Sequence, residues 1–369
     1  MRILHFYKTA HPYSMGGIEQ VIHQIARGVS KLGVQTDVLS LAPSHLTGTL
    51  ETDGYLTHRA RLGFQIASTP FSLSAFGHFS QLAKKADIIH YHFPWPFMDM
   101  VHIATRVNKP TVVTYHSDII KQKHLLKLYR PLKNRFLASV DRIIATSPNY
   151  LETSKVLAKY ADKVDVIPIG LDKETYPTPI PARLQYWREQ FSSKFFLFVG
   201  VLRYYKGLHI LIEAAKGTDY PIVIVGSGPI ETELKEQVAQ LGLRNIHFLG
   251  KLHDEDKIAL LTLCYAVVFP SHLRSEAFGI SLLEGAMYGK PMISSEIGSG
   301  TTFINIAGDT GLVIPPSDPI ALRHAMQYLW EHPEHALEMG RRAEERYWKH
   351  FMADQMVKSY ADLYREVLR

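Results

Sequence analysis

The chain has 369 residues, of which 46% are hydrophobic and 21% charged, so it is long enough for two folded domains and too apolar for a disordered protein. Its one cysteine, Cys264, lies in an apolar run, which excludes a disulfide framework and a cysteine-based metal site. The net charge of +6 is uneven, because residues 1–170 carry 20 basic and 11 acidic side chains whereas the remainder carries 21 and 24.

In the first half of the chain, short apolar runs alternate with helical patterns, as expected for a parallel sheet covered by helices. The amphipathic pattern from Ile18 to Leu32 predicts a helix that ends at Gly33. The strands predicted in this half are Ile3–Tyr7, Thr36–Leu41, Ile88–His92, Thr111–Tyr115, Arg142–Ala145 and Val164–Ile167.

A Pro-rich stretch, Pro177 to Pro181, is typical of a linker, and the alternation starts again after it. The strands predicted in the second half are Phe195–Val199, Ile222–Val225, Ile246–Leu249, Ala266–Phe269 and Pro291–Ser294. From Ala321 onward the pattern is helical. The sequence therefore predicts an α/β fold of two Rossmann-like domains that face each other across a cleft.

Two motifs of the first half lie where a strand ends. Gly16 and Gly17 precede the first predicted helix, so they let a ligand approach the backbone closely near free N–H groups, and Glu19 follows one turn later. A plain tight turn and a favourable helix-dipole interaction of Glu19 are the alternatives. His116 and Asp118 follow the strand Thr111–Tyr115; a lone histidine is as often structural as catalytic.

In the second half, Arg203 and Lys206 follow a buried strand, and fixed cations of this kind can neutralise a diphosphate leaving group without a divalent ion. The next strand ends in Gly226-Ser227-Gly228, which lacks the further glycine of a dinucleotide fingerprint. The strand after that one ends at Gly250-Lys251-Leu252.

The segment Ser275–Ala286 carries the most information. Glu276 lies in a turn after a buried strand, and apolar residues at helical spacing predict a helix that starts near Gly279. The N-terminus of such a helix, at Phe278-Gly279-Ile280, suits a phosphate, and Glu284 one turn later could reach a ribose of the same ligand. The two carboxylates would then bracket a nucleotide-sugar, although glutamates at this spacing are often only surface charges.

Together, these motifs resemble the retaining glycosyltransferases of family 4, whose fold is GT-B, and the segment Glu276–Glu284 resembles their E-x7-E signature. The resemblance implies an acceptor-side domain at 1–170, joined by a C-terminal helix at about 352–369 that crosses back to it, and a nucleotide-sugar domain at 171–351. Val201 stands where the family usually has arginine, so Arg203 is expected to take that role.

The resemblance also implies the roles of the site residues. It implies reaction-centre roles for His116, Glu276, Arg203 and Lys206. It implies donor binding by Gly16, Gly17, Gly226, Lys251, Leu252, Phe278, Gly279, Ile280 and Glu284. Glu19 and Asp118 are expected on the acceptor side.

The resemblance extends to bacterial O-antigen and lipopolysaccharide mannosyltransferases, and it implies transfer of a hexose, mannose from GDP-mannose in the first instance, to a hydroxyl of a lipid-linked glycan. We expect no metal ligand and no cofactor, since the nucleotide-sugar is a substrate and no D-x-D pair stands between a strand and the loop that follows it. A UDP-sugar donor, a sugar-nucleotide epimerase of the same fold and a basic nucleic-acid-binding protein remain alternatives. A dehydrogenase is disfavoured because neither half has G-x-G-x-x-G after its first strand.

The charge pattern favours a cytoplasmic protein on the inner face of the cytoplasmic membrane. No leader pattern and no run of about 18 apolar residues is present, so we expect no spanning helix. A basic, aliphatic stretch from Ile119 to Arg142, with Lys121, Lys123 and Lys127, is typical of a helix on an anionic membrane, and a solvated helix face is the alternative. The apolar stretch Leu62–Ile66 could add lipid contact, line the acceptor site or be buried in a core.

Overall fold

A computed structural model describes residues 1–14, 16–66, 69–119, 123–191 and 194–369 of the chain. The chain divides into two compact units, which we call unit 1 (Met1–Gly170 with Met352–Arg369) and unit 2 (Leu171–Phe351). Among the described residues, no helix combines the length and the apolar character that crossing a membrane requires.

The strands of the described chain are β1 (Arg2–Phe6), β2 (Gln35–Ala42), β3 (Gly48–Thr52), β4 (Tyr55–Arg61), β5 (Phe64–Ile66), β6 (Thr69–Phe71), β7 (Ile88–Phe93), β8 (Thr111–Tyr115), β9 (Arg142–Ala145), β10 (Val164–Val166), β11 (Phe196–Val199), β12 (Ile222–Val225), β13 (Ile246–Gly250), β14 (Ala266–Phe269), β15 (Met292–Ser295) and β16 (Gly311–Ile314).

The α-helices are α1 (Gly17–Lys31), α2 (Ser74–Lys85), α3 (Pro96–Thr105), α4 (Lys123–Ser139), α5 (Pro148–Thr153), α6 (Pro181–Gln190), α7 (Leu208–Ala214), α8 (Glu231–Gln240), α9 (Asp254–Leu263), α10 (Ile280–Met287), α11 (Thr301–Ile304), α12 (Pro319–Glu331), α13 (Pro333–His350) and α14 (Ala353–Val367). Short 3-10 turns occur at Ser44–Leu46, Leu157–Lys163, Lys173–Thr175 and Tyr204–Lys206.

Unit 1 is built on an eight-stranded sheet in the order β10-β9-β8-β7-β1-β2-β4-β3. Its strands pair in parallel except for the hairpin β3–β4 at one edge. Asp53 and Gly54 form the two-residue turn of this hairpin, both at positive φ (49° and 85°), as an Asp-Gly pair at a tight hairpin turn does. The six strands predicted from the first half all lie in this sheet, and together with β4 they supply its parallel part.

The last helix, α14, belongs to unit 1 and packs against α1. The two helices approach so closely that a Cβ added at Gly28 would lie 2.2 Å from Val357 Cγ2. A side chain at this position would push the helices apart. Gly28 therefore lets the C-terminal segment pack on the first helix of unit 1.

Unit 2 holds a six-stranded parallel sheet in the order β13-β12-β11-β14-β15-β16. Its central strands are buried and form unbroken apolar runs, because helices cover both faces of a parallel sheet. Parallel pairing also brings the carboxyl ends of all six strands to one edge. A ligand site in unit 2 is therefore expected at the edge of the sheet where the carboxyl ends of β13, β12, β11 and β14 lie side by side.

Two features of the structure differ from the sequence prediction, and the first predicted helix agrees with it. Strands β3 to β6 and strand β16 were not predicted, and β5 and β6 pair as a separate hairpin. The C-terminal helical stretch starts at Pro319 and consists of three helices, which are interrupted at His332 and at Phe351–Met352. The first predicted helix lies at Gly17–Lys31, within one residue of its predicted bounds, and Gly33 follows it at φ 81°.

Candidate active site

In unit 2, four predicted motifs follow the adjacent strands β13, β12, β11 and β14 at the shared carboxyl edge. Lys251 follows β13, Gly226 follows β12, Lys206 lies beyond β11, and Glu276 lies beyond β14. Each residue was predicted to follow a strand, and the strand order makes these segments neighbours. The edge therefore concentrates basic, acidic and backbone groups in one region of unit 2.

The backbone at this edge is too tightly packed for side chains at two glycines. A Cβ at Gly226, whose φ is 134°, would lie 2.0 Å from the carbonyl oxygen of Gly200, and one at Gly228 would lie 2.4 Å from that of Leu202. The N–H of Gly226 donates to the carbonyl oxygen of Gly250 at 2.7 Å, which joins the ends of β12 and β13. Gly226, which was predicted to bind the donor, thus also serves the packing of the strand ends, as does Gly228.

Lys206 and Glu276, 70 residues apart in the chain, form a buried ion pair. Lys206 Nζ donates to Glu276 Oε2, and Ser271 Oγ donates to the same oxygen at 3.3 Å. Burial lowers the pKa of Lys206, but the charge of Glu276 and the hydrogen bond to it raise that pKa above the usual lysine value. Lys206 therefore remains a cation at neutral pH, beside a carboxylate that balances its charge.

The turn that carries Lys206 is held against the end of β14. His272 donates its backbone N–H to the carbonyl oxygen of Tyr205 at 3.0 Å, and its ring Nε2 contacts the carbonyl oxygen of Tyr204 at 3.1 Å. Gly207 ends the turn at φ 73°, where an added Cβ would lie 2.0 Å from the carbonyl oxygen of Pro270. These contacts hold the lysine near the loop that supplies Glu276.

Helix α10 begins at Ile280 with Gly279 as its N-cap at φ 101°, which agrees with the predicted start. Within the described part of the chain, no side chain caps the first N–H groups of this helix. Phe278 is buried, and a Cβ at Gly300 would lie 2.7 Å from its Cδ2 atom. The turn before α10 is therefore packed tightly between β14 and the segment before α11.

Glu284, in α10, is 4% exposed, and its Oε1 atom accepts hydrogen bonds from Tyr176 at 3.1 Å and Lys257 at 3.2 Å. Burial lowers the pKa of Lys257, but the charges of Glu284 and Asp254 raise it above the usual lysine value. Tyr176 and Lys257 were not predicted from the sequence. Glu284 is therefore hydrogen-bonded to Lys257 and Tyr176, and a ribose that contacted Glu284 would lie close to all three side chains.

Three of the predicted site residues of unit 2, Arg203 of the reaction centre and Lys251 and Leu252 of the donor site, are less enclosed. Arg203 and Lys251 are exposed, and Leu252 is half-buried. The positive charge of Arg203 lowers the pKa of Lys206 and of Tyr205, as a minor influence behind burial and Glu276, which places the guanidinium near the ion pair. Arg203 is thus a second cation close to Lys206, available to solvent.

In unit 1, Gly16 is the N-cap residue of α1 and Gly17 is its first residue; Met15, part of the same predicted loop, lies outside the described residues. Glu19 is buried, and its Oε1 atom accepts hydrogen bonds from Thr9 at 2.5 Å and Ser14 at 3.2 Å. A Cβ at Gly16 would lie 2.4 Å from Glu19 Oε2. The structure therefore shows Glu19 organising the loop before α1.

His116 is the outer member of a buried chain of histidines. Its Nε2 atom lies 3.0 Å from His92 Nδ1, and His92 Nε2 lies 3.0 Å from His5 Nδ1. Burial lowers the pKa of His116 and of His5 to about 3, so these rings are neutral at physiological pH. Because His116 uses Nε2 for this contact, Nδ1 is its nitrogen for a ligand. His5 and His92 were not predicted as part of the site.

Asp118 is held by three neighbours of unit 1. Its Oδ1 atom accepts hydrogen bonds from Tyr115 at 2.8 Å and Ser154 at 3.1 Å, and its backbone N–H donates to Tyr150 at 2.6 Å. Burial lowers the pKa of Lys133, and the charge of Asp118 acts against this effect. The described contacts of Asp118 tie the segment after β8 to α5 and to the turn that follows it.

Both units of the chain match families of glycosyltransferases. Residues 15–175 match the family described as Glycosyltransferase Family 4, and residues 186–346 match the family described as Glycosyl transferases group 1. The chain therefore belongs to the glycosyltransferases that these two family descriptions cover.

The relatives by sequence include two bacterial enzymes. The chain is 63% identical to D-rhamnosyltransferase WbpZ of Pseudomonas aeruginosa over 96% of this chain and 93% of that protein. It is 51% identical to O-antigen chain mannosyltransferase C of Escherichia coli over 100% of this chain and 99% of that protein. Both relationships extend along nearly the whole chain.

Among solved structures, the fold is similar to sucrose-phosphate synthase from Thermosynechococcus elongatus, with a TM-score of 0.83 over 99% of this chain and 98% of that chain. The sequence identity is 20%, so the similarity concerns the fold. The fold is GT-B, with two Rossmann-like domains.

Proposed function

We propose that this glycosyltransferase moves a hexosyl group of D-manno configuration from a GDP-sugar to a hydroxyl of a lipid-linked glycan in O-antigen synthesis. Mannose from GDP-mannose is the first donor to test. The names of the two relatives support this choice, because D-rhamnose is 6-deoxy-D-mannose and both sugars have the same configuration at carbons 2 to 4. The observation that carries the proposal is the buried Lys206–Glu276 pair at the carboxyl edge of the unit 2 sheet.

The ion pair suits a departing nucleoside diphosphate. Negative charge grows on the phosphate oxygens as the bond to the sugar breaks, and a protonated lysine can stabilise it in a site that excludes water. Glu276 holds Lys206 charged before the donor binds. In the proposed complex Lys206 contacts the diphosphate, Arg203 adds a second positive charge, and the Glu276 carboxylate becomes available to the sugar.

The proposed reaction retains the anomeric configuration and needs no metal ion. The bond between the anomeric carbon and the phosphate oxygen breaks while the acceptor oxygen bonds to the same face of the sugar. The acceptor proton passes to the departing phosphate oxygen, so no separate base is required. Lys206 and Arg203 take the place that a divalent cation holds in other sugar-diphosphate sites.

A donor screen tests the substrate. Purified protein is mixed with GDP-mannose, GDP-D-rhamnose, UDP-glucose, UDP-N-acetylglucosamine or ADP-glucose, and the melting temperature is measured. A ligand at 100 times its Kd stabilises by about 2.7 kcal/mol, which a thermal-shift assay resolves. We expect GDP-sugars to raise the melting temperature and UDP- and ADP-sugars not to. Stabilisation by a UDP-sugar alone would contradict the GDP assignment and favour a UDP-sugar donor.

Product analysis distinguishes a transferase from an epimerase and from a nucleic-acid-binding protein. A transferase releases GDP only when an acceptor is present, apart from slow hydrolysis, whereas an epimerase converts the nucleotide-sugar without an acceptor. A nucleic-acid-binding protein would retain DNA or RNA on a filter with a steep salt dependence. The acidic balance of residues 171–369, 24 acidic against 21 basic side chains, argues against nucleic-acid binding.

We also propose that unit 1 rests on the inner face of the cytoplasmic membrane, where the lipid-linked acceptor would lie. In α4, the side chains of Lys127, Leu128, Arg130 and Arg135 are exposed, with Leu128 at 80%. Lys121 of the predicted basic stretch lies outside the described residues, as does the side chain of Lys123. The hairpin β5–β6 adds exposed apolar surface at Phe64 and Ile66, so core burial does not account for these two side chains.

Liposome co-sedimentation tests this placement. Each basic side chain near an anionic surface contributes about 1 kcal/mol, so we expect binding to phosphatidylglycerol vesicles at low salt and release at high salt. The substitutions Lys121→Glu, Lys123→Glu and Lys127→Glu together should abolish the binding and spare donor binding. The control is a variant in which Lys216, Lys235 and Lys290 of unit 2 are each replaced by glutamate. Equal sedimentation of both triple variants would contradict the proposal.

A further inference from the structure

A cluster of two histidines and an aspartate in unit 1 contains none of the residues assigned to the transfer. His11 follows β1, His23 lies in α1, and Asp53 lies in the β3–β4 turn. One coordinating atom from each residue lies within 4.8 Å of those of the other two, and the two imidazole rings are 4.3 Å apart between centroids. Three segments separated along the chain thus bring their nitrogen and oxygen ligand atoms together.

The spacing fits a bound ion better than a direct hydrogen bond. His23 Nε2 lies 3.7 Å from Asp53 Oδ2, which is too far for a hydrogen bond. Two ligands of a tetrahedral Zn²⁺ ion, each about 2.0–2.1 Å from the metal, lie roughly 3.4 Å from one another. Small rotations of the side chains would therefore bring this pair to the distance required by a shared ion.

His23 is oriented in the way that metal-binding histidines commonly are. Its Nδ1 atom lies 2.9 Å from the hydroxyl of Tyr55, which is 3% exposed. A hydrogen bond at one ring nitrogen orients the imidazole and presents the other nitrogen to the metal. Tyr55 also packs in a small apolar cluster with Tyr7, Ala10, Ile22, Ala26 and Val38. The two histidines and Asp53 therefore lie beside an apolar cluster, and packing in that cluster fixes the position of Tyr55.

Both imidazoles are neutral at physiological pH. Burial, with smaller effects of His11 and Arg27, lowers the pKa of His23 to about 4 although Asp53 acts in the opposite direction. Burial likewise lowers the pKa of His11. His11 Nδ1 is buried and has no hydrogen-bond partner among the described residues. A neutral imidazole with an unpartnered nitrogen is a state in which histidine coordinates a metal.

We propose that His11, His23 and Asp53 form a binding site for a divalent transition-metal ion of the Zn²⁺ type. Two imidazoles and one carboxylate suit Zn²⁺, Co²⁺ or Ni²⁺, whereas Mg²⁺ and Ca²⁺ require oxygen ligands. A tetrahedral ion with three protein ligands keeps one position for water or for a ligand from solution. The site leaves little sign in the sequence because its residues are 12 and 30 positions apart.

The ion would connect the loop after β1, helix α1 and the β3–β4 turn. The first of these segments leads to Gly16 and Gly17, so the ion would hold in place the segment that precedes the glycine loop. Its contribution is to the stability of unit 1, since the groups proposed to neutralise the diphosphate lie in unit 2. The site is independent of the proposed donor, and its test does not depend on turnover.

Direct binding is the test, with untagged full-length protein that has been stripped of metal with EDTA and freed of the chelator. Titration calorimetry with Zn²⁺ should give one saturable site per chain. Replacement by Co²⁺ should give the intense visible absorption of tetrahedral coordination without the thiolate charge-transfer band, since Cys264 is buried. Zn²⁺ should raise the melting temperature of the wild-type protein.

Substitutions assign the ligands. His11→Gln, His23→Gln and Asp53→Asn should each weaken Zn²⁺ binding by about 10-fold or more, and Tyr55→Phe should weaken it by about 10-fold through loss of orientation. Asp53→Asn is the sharpest variant, because asparagine also accepts the positive φ of the turn and so preserves the hairpin.

The matched control is His335→Gln. His335, in α13, and His332, just before this helix, are both exposed; their rings stack at 5.6 Å, and His335 Nδ1 contacts the hydroxyl of the half-buried Tyr328. This variant should bind Zn²⁺ like the wild type. The absence of a saturable 1:1 site, or equal affinity in the wild type and the Asp53→Asn variant, would overturn the proposal.

Discussion

The buried charged side chains of the candidate site are paired with one another. Lys206 is matched by Glu276, and Glu284 by Lys257 and Tyr176, all within unit 2. Separating a buried pair leaves an uncompensated charge, which costs about 3–5 kcal/mol. In the proposed complex a donor diphosphate would supply a replacement partner for Lys206, so we expect donor binding to be coupled to rearrangement of the ion pair.

The two glutamates should give different kinetic defects. Glu276→Gln should reduce kcat by on the order of 100-fold, as is usual when a positioned polar group is lost from a reaction centre. Glu284→Ala should mainly raise the KM for the donor, because it removes the carboxylate that Lys257 and Tyr176 hold in place for the ribose. Initial rates at varied donor concentration measure both effects.

Glu236→Gln, on the exposed face of α8, is the control and should behave as the wild type. Circular dichroism establishes that each variant is folded. Wild-type kcat and KM in both folded glutamate variants would remove these residues from the donor site.

The parts of the site that the sequence predicted are those that follow strands. Lys206 and Glu276 could be predicted because parallel strand ends meet at one edge, whatever the order of the strands. His5 and His92 could not, since they are 87 residues apart and a lone histidine in an apolar strand has no distinctive pattern. The alternation of His90 and His92 on β7 was the one available sign. Tyr176 meets Glu284 across 108 residues, and no local rule joins them.

At the scale of elements, the junction of β11, β12 and β13 depends on glycines as much as on apolar strands. Gly226 brings the ends of β11 and β12 into backbone contact, at a φ of 134° that side chains avoid. The turn after β12 therefore approaches its neighbours more closely than any chain with a Cβ could. The same close approach is what a diphosphate or a base would need from this backbone.

Gly226→Ala should lower the free energy of unfolding by about 3 kcal/mol or more, because the new Cβ collides with a backbone oxygen and the backbone is strained. Gly217→Ala is the matched control. Gly217 also has a positive φ, of 71°, but no described atom lies within 4 Å of an added Cβ, so it should lose only about 1 kcal/mol. Urea unfolding of both variants measures the difference, and equal losses would show that the close approach is not a constraint.

Two of the strands that the sequence did not predict, β3 and β5, were missed for the same physical reason. The residues of β3 are mostly exposed and those of β5 are fully so, and without burial on one face they lack the alternating pattern of a half-buried strand. The hairpin β3–β4 nevertheless had a readable sign in Asp53-Gly54, the dipeptide typical of a two-residue hairpin turn. The core strands, buried on both faces, were predicted within two residues of their ends.

At the scale of the whole molecule, buried histidines make the stability of unit 1 depend on pH. His5 and His116 have folded-state pKa values of about 3, against about 6.5 for an unfolded chain. Between these values the unfolded chain binds more protons than the folded one, so the free energy of unfolding falls as the pH falls from 6.5 toward 3.

We expect each of these two histidines to remove about 2 kcal/mol of stability at pH 5 relative to pH 7, at about 1.4 kcal/mol per pH unit below 6.5. Urea unfolding at both pH values measures the loss. The pKa of Asp99 is raised by burial, so Asp99 acts in the opposite direction, and the His116→Gln variant isolates the histidine contribution. The variant should lose less stability on acidification; an identical loss in the variant and the wild type would contradict this role of His116.

The central claim is that fixed cations, and Lys206 above all, carry the diphosphate chemistry of this glycosyltransferase without a metal ion. The initial rate of mannosyl transfer from GDP-mannose in EDTA, for the wild type, Lys206→Ala and Lys216→Ala, tests it most directly. Lys216 forms a surface ion pair with Glu213 and serves as the control.

The His23→Gln variant, assayed with and without EDTA, shows whether any effect of the chelator arises at the proposed Zn²⁺ site. We predict full activity of the wild type and of Lys216→Ala in EDTA, and a loss of on the order of 100-fold or more for Lys206→Ala. A strict requirement for Mg²⁺ or Mn²⁺, or a wild-type rate for folded Lys206→Ala, would contradict the central claim.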